Sequence, residues 1–428
     1  MNFRYNLNDK LPPFSLAMYG LQWFLVSIPM VIILSAVISN LQGLDTAGHI
    51  FYTQKLLIIM GVGLILQVLG GHKMPVVIGP ASVLLIGVLS AGSANEAQIY
   101  TAIIIGGVLL GVLYFSRLLS KIQFIFTPRI VIVIMSLIAF TLSPVILRLI
   151  FGEESHALFS LLFALSFLFL MTLANHFFKG IWKSTVVLIA LVLGSIICFA
   201  VMGVPSTEAK IAGTKTSSWF VSLNFDLGTT LSFLFCYIAL LINELGSVQS
   251  VGKIIKADQL DKRSERAVGV TGIMNIFAGS MGVIGPVDYS LSPGLIMATG
   301  CASRYPLIPA GIALIGCALF PSIIEYLTLI PELTMGTILL YLMATQLSAS
   351  FQIIGTEKNI ISSFNDSLTI GLPLMVGLIL SFTPDYVLDQ IPTTFRPILG
   401  NGFVMGVISV LLLEHVVFRK KRQSTSKG

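Results

Sequence analysis

The chain has 428 residues, 55% of them hydrophobic and only 10% charged, and its mean hydropathy is +0.94. Soluble domains carry about 25% charged residues because their surface must hold water, so this composition excludes a soluble fold. A net charge of +6 raises the question of nucleic acid, but no basic stripe interleaved with aromatics is present and no nucleic-acid partner is expected.

The opening stretch, Met1 to Pro13, is polar and of mixed charge, and it lacks the apolar core and small-residue cleavage site of a signal peptide. The first apolar run is therefore expected to be a permanent span. A spanning helix needs roughly 20 mostly apolar residues. Such runs lie near Phe14–Ile38, Leu56–Leu69, Pro75–Leu89, Ala102–Phe115, Ile130–Leu147, Ala157–Leu173 and Trp182–Met202. They continue near Leu227–Leu245, Ala267–Ile284, Tyr289–Cys301, Leu307–Leu329, Met335–Ser350, Leu368–Phe382 and Gly402–Val417. The pattern predicts an all-α polytopic membrane protein of about fourteen segments. An even number puts both termini on one side of the lipid bilayer.

Charge placement agrees with that number. With a cytoplasmic N-terminus, inside loops hold Arg117, Lys121, Lys179, Lys183, Lys253, Lys256, Lys262, Arg263 and Arg266, and the basic tail over 419–428 also falls inside. Outside loops hold Lys55, Arg148, Lys210, Lys215 and Arg396. This is the cytoplasmic excess of Lys and Arg that bacterial and other inner-membrane proteins show. The net positive charge is thus a sign of topology. The four cysteines, Cys198, Cys236, Cys301 and Cys317, are scattered singly in apolar runs, so packing is expected and neither a disulfide framework nor a metal site.

Two runs are odd in matching ways. The third opens Pro75-Val76-Val77-Ile78-Gly79-Pro80-Ala81-Ser82, and the tenth opens Gly285-Pro286-Val287-Asp288-Tyr289-Ser290-Leu291-Ser292. Each is short and places Gly and Pro inside an apolar stretch. They are third in each half and an odd number of segments apart, which predicts an inverted repeat. Short, interrupted segments in corresponding positions mark the binding site of many secondary transporters. A broken helix exposes backbone N–H groups that can bind a polar solute, and irregular backbone at membrane depth is tolerated only where it is buried or lines a cavity. The competing reading is two kinked helices whose neighbours compensate for proline.

Glu244 is the clearest ionisable residue inside a predicted span. A charge at the bilayer centre costs at least about 2.5–3.5 kcal/mol, and a buried carboxylate tends to take up a proton. Glu244 is therefore expected both to bind substrate and to couple its movement to a proton. Asp288 either faces substrate or caps the helix that follows, and capping is the preferred reading. Gln249, about a turn beyond Glu244, leads the neutral polar residues, which otherwise (Gln22, Gln67, Asn243, Asn275, Gln346) are expected to bond neighbouring helices. Ala81, Ser82, Ser290 and Leu291 stand at the breaks, and Tyr289 is the aromatic at the second. The histidines, His49, His72, His156, His176 and His415, map to loops and span ends, where solvated imidazoles are expected. No hydrolase or protease motif appears, so an enzyme is not expected, nor any cofactor.

These residues resemble the uracil/xanthine permeases, also called nucleobase–ascorbate transporters. Leu21-Gln22, Gly61 to Gln67, Lys73-Met74-Pro75 with Gly79, and Glu244 carry the likeness. So do Lys256-Ala257-Asp258 through Arg266, Asn275, Gly279 and Gly282, and Pro331 to Gly336. The resemblance implies a 7+7 inverted repeat with short β-strands and half-helices in segments three and ten. It implies a core domain over 14–122 and 227–329 and a gate domain over 123–203 and 330–418. Substrate would bind between them, carried by elevator-like movement with a proton, often in a homodimer. It also implies that Glu244 binds the base. Leu291 stands where uracil carriers of the family have a carboxylate and xanthine carriers a glutamine, and Ser82 replaces an aromatic. The stretch Ser290 to Gly294, then Thr299 to Arg304, is similar to the purine permeases, so a purine such as xanthine or uric acid is expected over uracil. The rival of another substrate class is a sulfate- or bicarbonate-type anion carrier of the same fold, which an acid at the site disfavours. A non-transporting scaffold would give Glu244 and the paired breaks no purpose.

Overall fold

The computed structural model describes residues 3–91, 95–119, 127–152, 156–178, 182, 185–203, 218–289, 292–356, 360–392 and 395–418. Ser290, Leu291, several loop lysines and the basic tail lie outside the described residues. Among the described residues, eight helical segments are long and apolar enough to cross a membrane, and three shorter apolar helices accompany them. The chain is a multi-pass membrane protein.

The first half runs α1 (Pro13–Leu41), α2 (Thr46–Leu69), β1 (Ile78–Pro80), α3 (Ser82–Ser90), α4 (Glu96–Phe115), α5 (Pro128–Thr141), α6 (Ser143–Phe151), α7 (Ala157–Phe177) and α8 (Val186–Met202). The second runs α9 (Leu227–Ile254), α10 (Leu260–Ser280), β2 (Pro286–Asp288), α11 (Ser292–Thr299), α12 (Leu307–Ala318), α13 (Pro321–Thr328), α14 (Glu332–Thr356), α15 (Phe364–Ser381) and α16 (Gly402–Leu412), which ends in a π turn at Leu413–Val417.

Local chemistry accounts for many helix starts. Asp45 accepts from the Gly48 N–H, Thr127 from Ile130 and Asp226 from Thr229, while Asn95 with Gln98 and Ser363 with Asp366 form capping boxes. Each satisfies a donor that the helix itself leaves open. Helix α2 starts ten residues before its apolar run, so Lys55 is not in an outside loop. It is buried within α2 with its ammonium 4.9 Å from the centre of the Phe51 ring. The fifth apolar run is two helices, because the Pro144 ring cannot continue the hydrogen-bond ladder past Leu142.

Packing separates the helices into two groups. Helices α1, α2, α4, α9, α10 and α12 pack on one another, with α4 most extensively on α10 and α2 on α12. Helices α5, α6, α7, α8, α14, α15 and α16 form the second set, centred on α14 and α5. The two most extensive contacts of the first set use the same device. A Cβ on Gly61 would stand 2.6 Å from the Gly311 carbonyl oxygen, and one on Gly107 would stand 2.7 Å from that of Gly272. Glycine on both sides lets two helix backbones touch, which is how helices gain packing energy where lipid offers no hydrophobic drive. The N-terminal segment lies along the linker after α11: the Arg4 N–H donates to the Gly300 carbonyl, and the Ala302 N–H to that of Tyr5.

Candidate functional site

The two interrupted segments meet. Strands β1 and β2 pair antiparallel in the register Ile78 to Asp288, Gly79 to Val287 and Pro80 to Pro286. The ladder continues on both sides, with the Ala81 N–H donating to Gly285 O at 2.9 Å and Tyr289 N–H to Val77 O at 2.8 Å. All six strand residues are buried. Both prolines sit where the missing N–H costs no ladder bond, at the end of β1 and the start of β2.

Glycine is required at two points here. A Cβ on Gly79 would run into the ring of Tyr289, and one on Gly285 into the Asn275 side chain. Tyr289 lies across β1 and donates its hydroxyl to Pro80 O at 2.5 Å. Asn275 donates to Pro286 O at 3.0 Å and accepts from the Tyr237 hydroxyl at 2.7 Å. Ser292 accepts from the Val77 N–H at 2.9 Å and so ties the start of α11 back to β1.

Helix α3 leaves the strand pair with Ala81 as its N-cap and no side-chain cap. Its first backbone N–H groups therefore face the region of the break without a side-chain acceptor. Ser82, the first residue of α3, is half-buried, as is Tyr289, whereas Ala81 is buried. Ser290 and Leu291 lie outside the described residues.

Glu244 is on α9, which touches both half-helices and β2. It is fully buried. Its Oε1 accepts from the Thr271 hydroxyl at 2.6 Å and from Gln67 Nε2 at 3.4 Å, and its Oε2 accepts from the Asp288 N–H at 2.8 Å. Gln67 also donates to Ala267 O at 2.9 Å and accepts from the His72 N–H at 3.3 Å. So α2, α9, α10 and β2 converge on one carboxylate. Gln249 lies five residues further along α9, about 140° around the helix from Glu244 at 3.6 residues per turn. It is half-buried, and Val248 shares the Glu244 face.

Two expectations change. The Asp288 carboxyl accepts no hydrogen bond, so it does not cap α11. Instead the residue gives its backbone N–H to Glu244, and its fully buried Oδ2 stands 3.5 Å from His72 Nε2. His72 is correspondingly not a solvated loop histidine: it is buried, with Nδ1 accepting from the Met74 N–H at 2.9 Å. Arg263 of α10 holds the loop closed over it, donating to His72 O at 3.0 Å and Lys73 O at 3.2 Å. Asp258, exposed at the start of α10, accepts from the same guanidinium at 2.6 Å, which holds its carboxyl below the ordinary range. Among the described residues, no group of His, Cys, Asp and Glu could hold a metal ion.

Paired half-helix breaks backed by a buried acid define the class of polytopic transporters with a discontinuous-helix centre. The Permease family model matches residues 14–386, and the chain belongs to that family, the xanthine/uracil permeases. A Clostridium perfringens chain provisionally named a purine permease is 26% identical, over 97% of this chain and 93% of its own length. The nucleobase transporter PlUacP of Paenibacillus larvae is 24% identical, over 95% and 96%. The uric acid permease PucJ of Bacillus subtilis is also 24% identical, over 87% and 86%. Among solved structures, the transmembrane domain of the cyanobacterial bicarbonate transporter BicA superposes with a TM-score of 0.62 at 13% identity, covering 88% of this chain and 98% of that one. A murine solute carrier 26 anion transporter in the inward-facing state gives 0.59 at 13%, covering 94% and 69%. At that identity the likeness is one of fold.

Proposed function

We propose that the chain is a secondary transporter that imports a nucleobase, with a purine such as xanthine or uric acid favoured over uracil, by proton symport across the inner (plasma) membrane with both termini cytoplasmic. The observation that carries it is the convergence of β1, β2 and the uncapped start of α3 on a region backed by Glu244. A planar base presents ring N–H groups and carbonyls in alternation, so it needs acceptors and donors side by side. Glu244 supplies the acceptor. The backbone N–H groups of Ser82 and Val83 at the uncapped start of α3 supply donors, with Tyr289 as the neighbouring aromatic. The relatives that carry purine, nucleobase and uric acid in their names support the cargo class over 86–96% of their own length.

In this reading the helices of the first packing group, with the half-helices, form the moving core, and the second group forms the gate. The equivalent Gly61–Gly311 and Gly107–Gly272 contacts support an inverted repeat. A buried carboxyl cluster centred on Glu244 takes up the coupling proton. Uptake of labelled xanthine into proteoliposomes tests this. It is expected to rise with an inward proton gradient and to collapse with a protonophore, and uptake indifferent to both removes the symport. The anion-carrier alternative has the fold in its favour, but a buried acid at the centre of the site repels an anion.

A further inference from the structure

Three titratable side chains with no access to solvent lie together behind β2: Glu244 of α9, Asp288 of β2 and His72 of the loop after α2. Their hydrogen bonding is unequal. Glu244 receives three donors on its two oxygens, from Thr271, Gln67 and the Asp288 backbone. Such a shell stabilises the ionised form. Neither oxygen of Asp288 has a hydrogen-bond partner. A buried carboxylate left without donors is among the costliest groups a protein can hold.

His72 does not relieve that cost by becoming a cation. Its Nδ1 already accepts the Met74 N–H at 2.9 Å, so the ring proton sits on Nε2, which lies 3.5 Å from Asp288 Oδ2 without hydrogen-bonding to it. A second ring proton would set two donors against each other at Nδ1. The charged groups that reach this region from α10 are Arg263 and Arg266, which oppose an imidazolium, and Arg263 is spent on the His72 and Lys73 carbonyls and on Asp258. From β1, the strand paired with β2, come Ile78, Gly79 and Pro80, none of which titrates. Two adjacent buried carboxylates cannot both stay ionised, and the one without donors is the one that takes a proton.

We propose that the coupling proton is carried on the carboxyl of Asp288, beside His72 and behind the substrate-binding Glu244. Protonation converts –COO⁻ to –COOH, leaving one negative charge in the cluster instead of two. The doubly charged cluster is the state that an apolar gate resists passing. Since Asp288 and Glu244 share the N–H to carboxylate bond, a base that engages Glu244 or displaces β2 changes the surroundings of the proton directly. This deepens the reading of the chain as a proton-coupled carrier and rests on it.

The test is infrared spectroscopy of the full-length protein in lipid nanodiscs at neutral pH without substrate, reading the C=O stretching band of a protonated buried acid. The band is expected in the wild type, retained in Glu244→Gln and lost in Asp288→Asn. Its absence from the wild type, its survival in Asp288→Asn, or its loss in Glu244→Gln alone overturns the assignment. Should Asp288→Asn fail to insert, His72→Gln replaces it: the group facing the acid changes, so the band should shift, and an unmoved band overturns the proposal. Xanthine uptake in proteoliposomes provides the second reading. Asp288→Asn should abolish the response to a pH gradient, and an unaltered response counts against Asp288. A wild type that moves no xanthine contradicts the carrier reading instead, a failure that the infrared measurement does not share.

Discussion

Glu244 is satisfied on both oxygens, so the residue serves the fold as well as the site. Glu244→Ala removes the acceptors of the Asp288 N–H and the Thr271 hydroxyl, and each buried group left unpaired costs about 1–3 kcal/mol. Glu244→Gln keeps one acceptor and the shape. Thermal denaturation in detergent should therefore rank wild type above Gln and Gln above Ala, with base binding lost in both; equal melting of the two variants would contradict this hydrogen-bond account. Tyr289→Phe forgoes the bond to Pro80 O and should cost about 1 kcal/mol. Gly79→Ala, which drives a methyl into the Tyr289 ring, should cost more. Glu244 was legible because an acid in an apolar run has few innocent explanations. His72 was not: Gly70 and Gly71 beside it look like a loop, and its burial comes from Arg263, 191 positions further on, and from β2. Asp288 read as a cap because it precedes a helix, but pairing with Ile78 holds it in the strand.

At the scale of elements, the breaks were visible because Gly and Pro interrupt apolar runs, whereas their pairing was not. Two three-residue strands carry too little periodicity to specify a register, which Gly79, Gly285 and the overlying Tyr289 and Asn275 decide in space. The apolar runs also stopped short of true helix ends. In α2 the polar His49, Thr53, Gln54 and Lys55 lie on the helix, with Thr53 bonded to Ser35 of α1 at 3.1 Å. The helix–helix glycines make a prediction with its own control. Gly107→Ala puts a methyl against the Gly272 carbonyl and should destabilise by about 1–3 kcal/mol. Gly111→Ala, one turn on in α4, meets nothing within 4 Å and should be neutral or stabilising, since alanine favours helix by about 1 kcal/mol. Melting temperatures of the two variants check this, and equal losses would contradict it.

For the whole molecule, the two helix groups are joined by polar contacts at the end where α1 finishes and α9 begins. Asn40 donates to Glu332 Oε1 at 2.8 Å and Asn401 to Ser232 Oγ at 3.2 Å. An elevator must break both on each cycle. Cysteines at Asn40 and Glu332 joined by a short cleavable thiol cross-linker should abolish uptake, and cleavage should restore it, while uptake unaffected by the cross-link would exclude sliding at this interface. The fold is shared with bicarbonate and other anion carriers, so cargo is decided at the site and not by the architecture. The central claim is that this site holds a purine through Glu244. Its most direct test is thermal stabilisation of the purified protein by xanthine, uric acid, uracil, bicarbonate and sulfate, because a ligand at 100 times its Kd adds about 2.7 kcal/mol. The account predicts a rise with a purine that disappears in Glu244→Gln. Stabilisation by bicarbonate or sulfate with silence across the bases would contradict it.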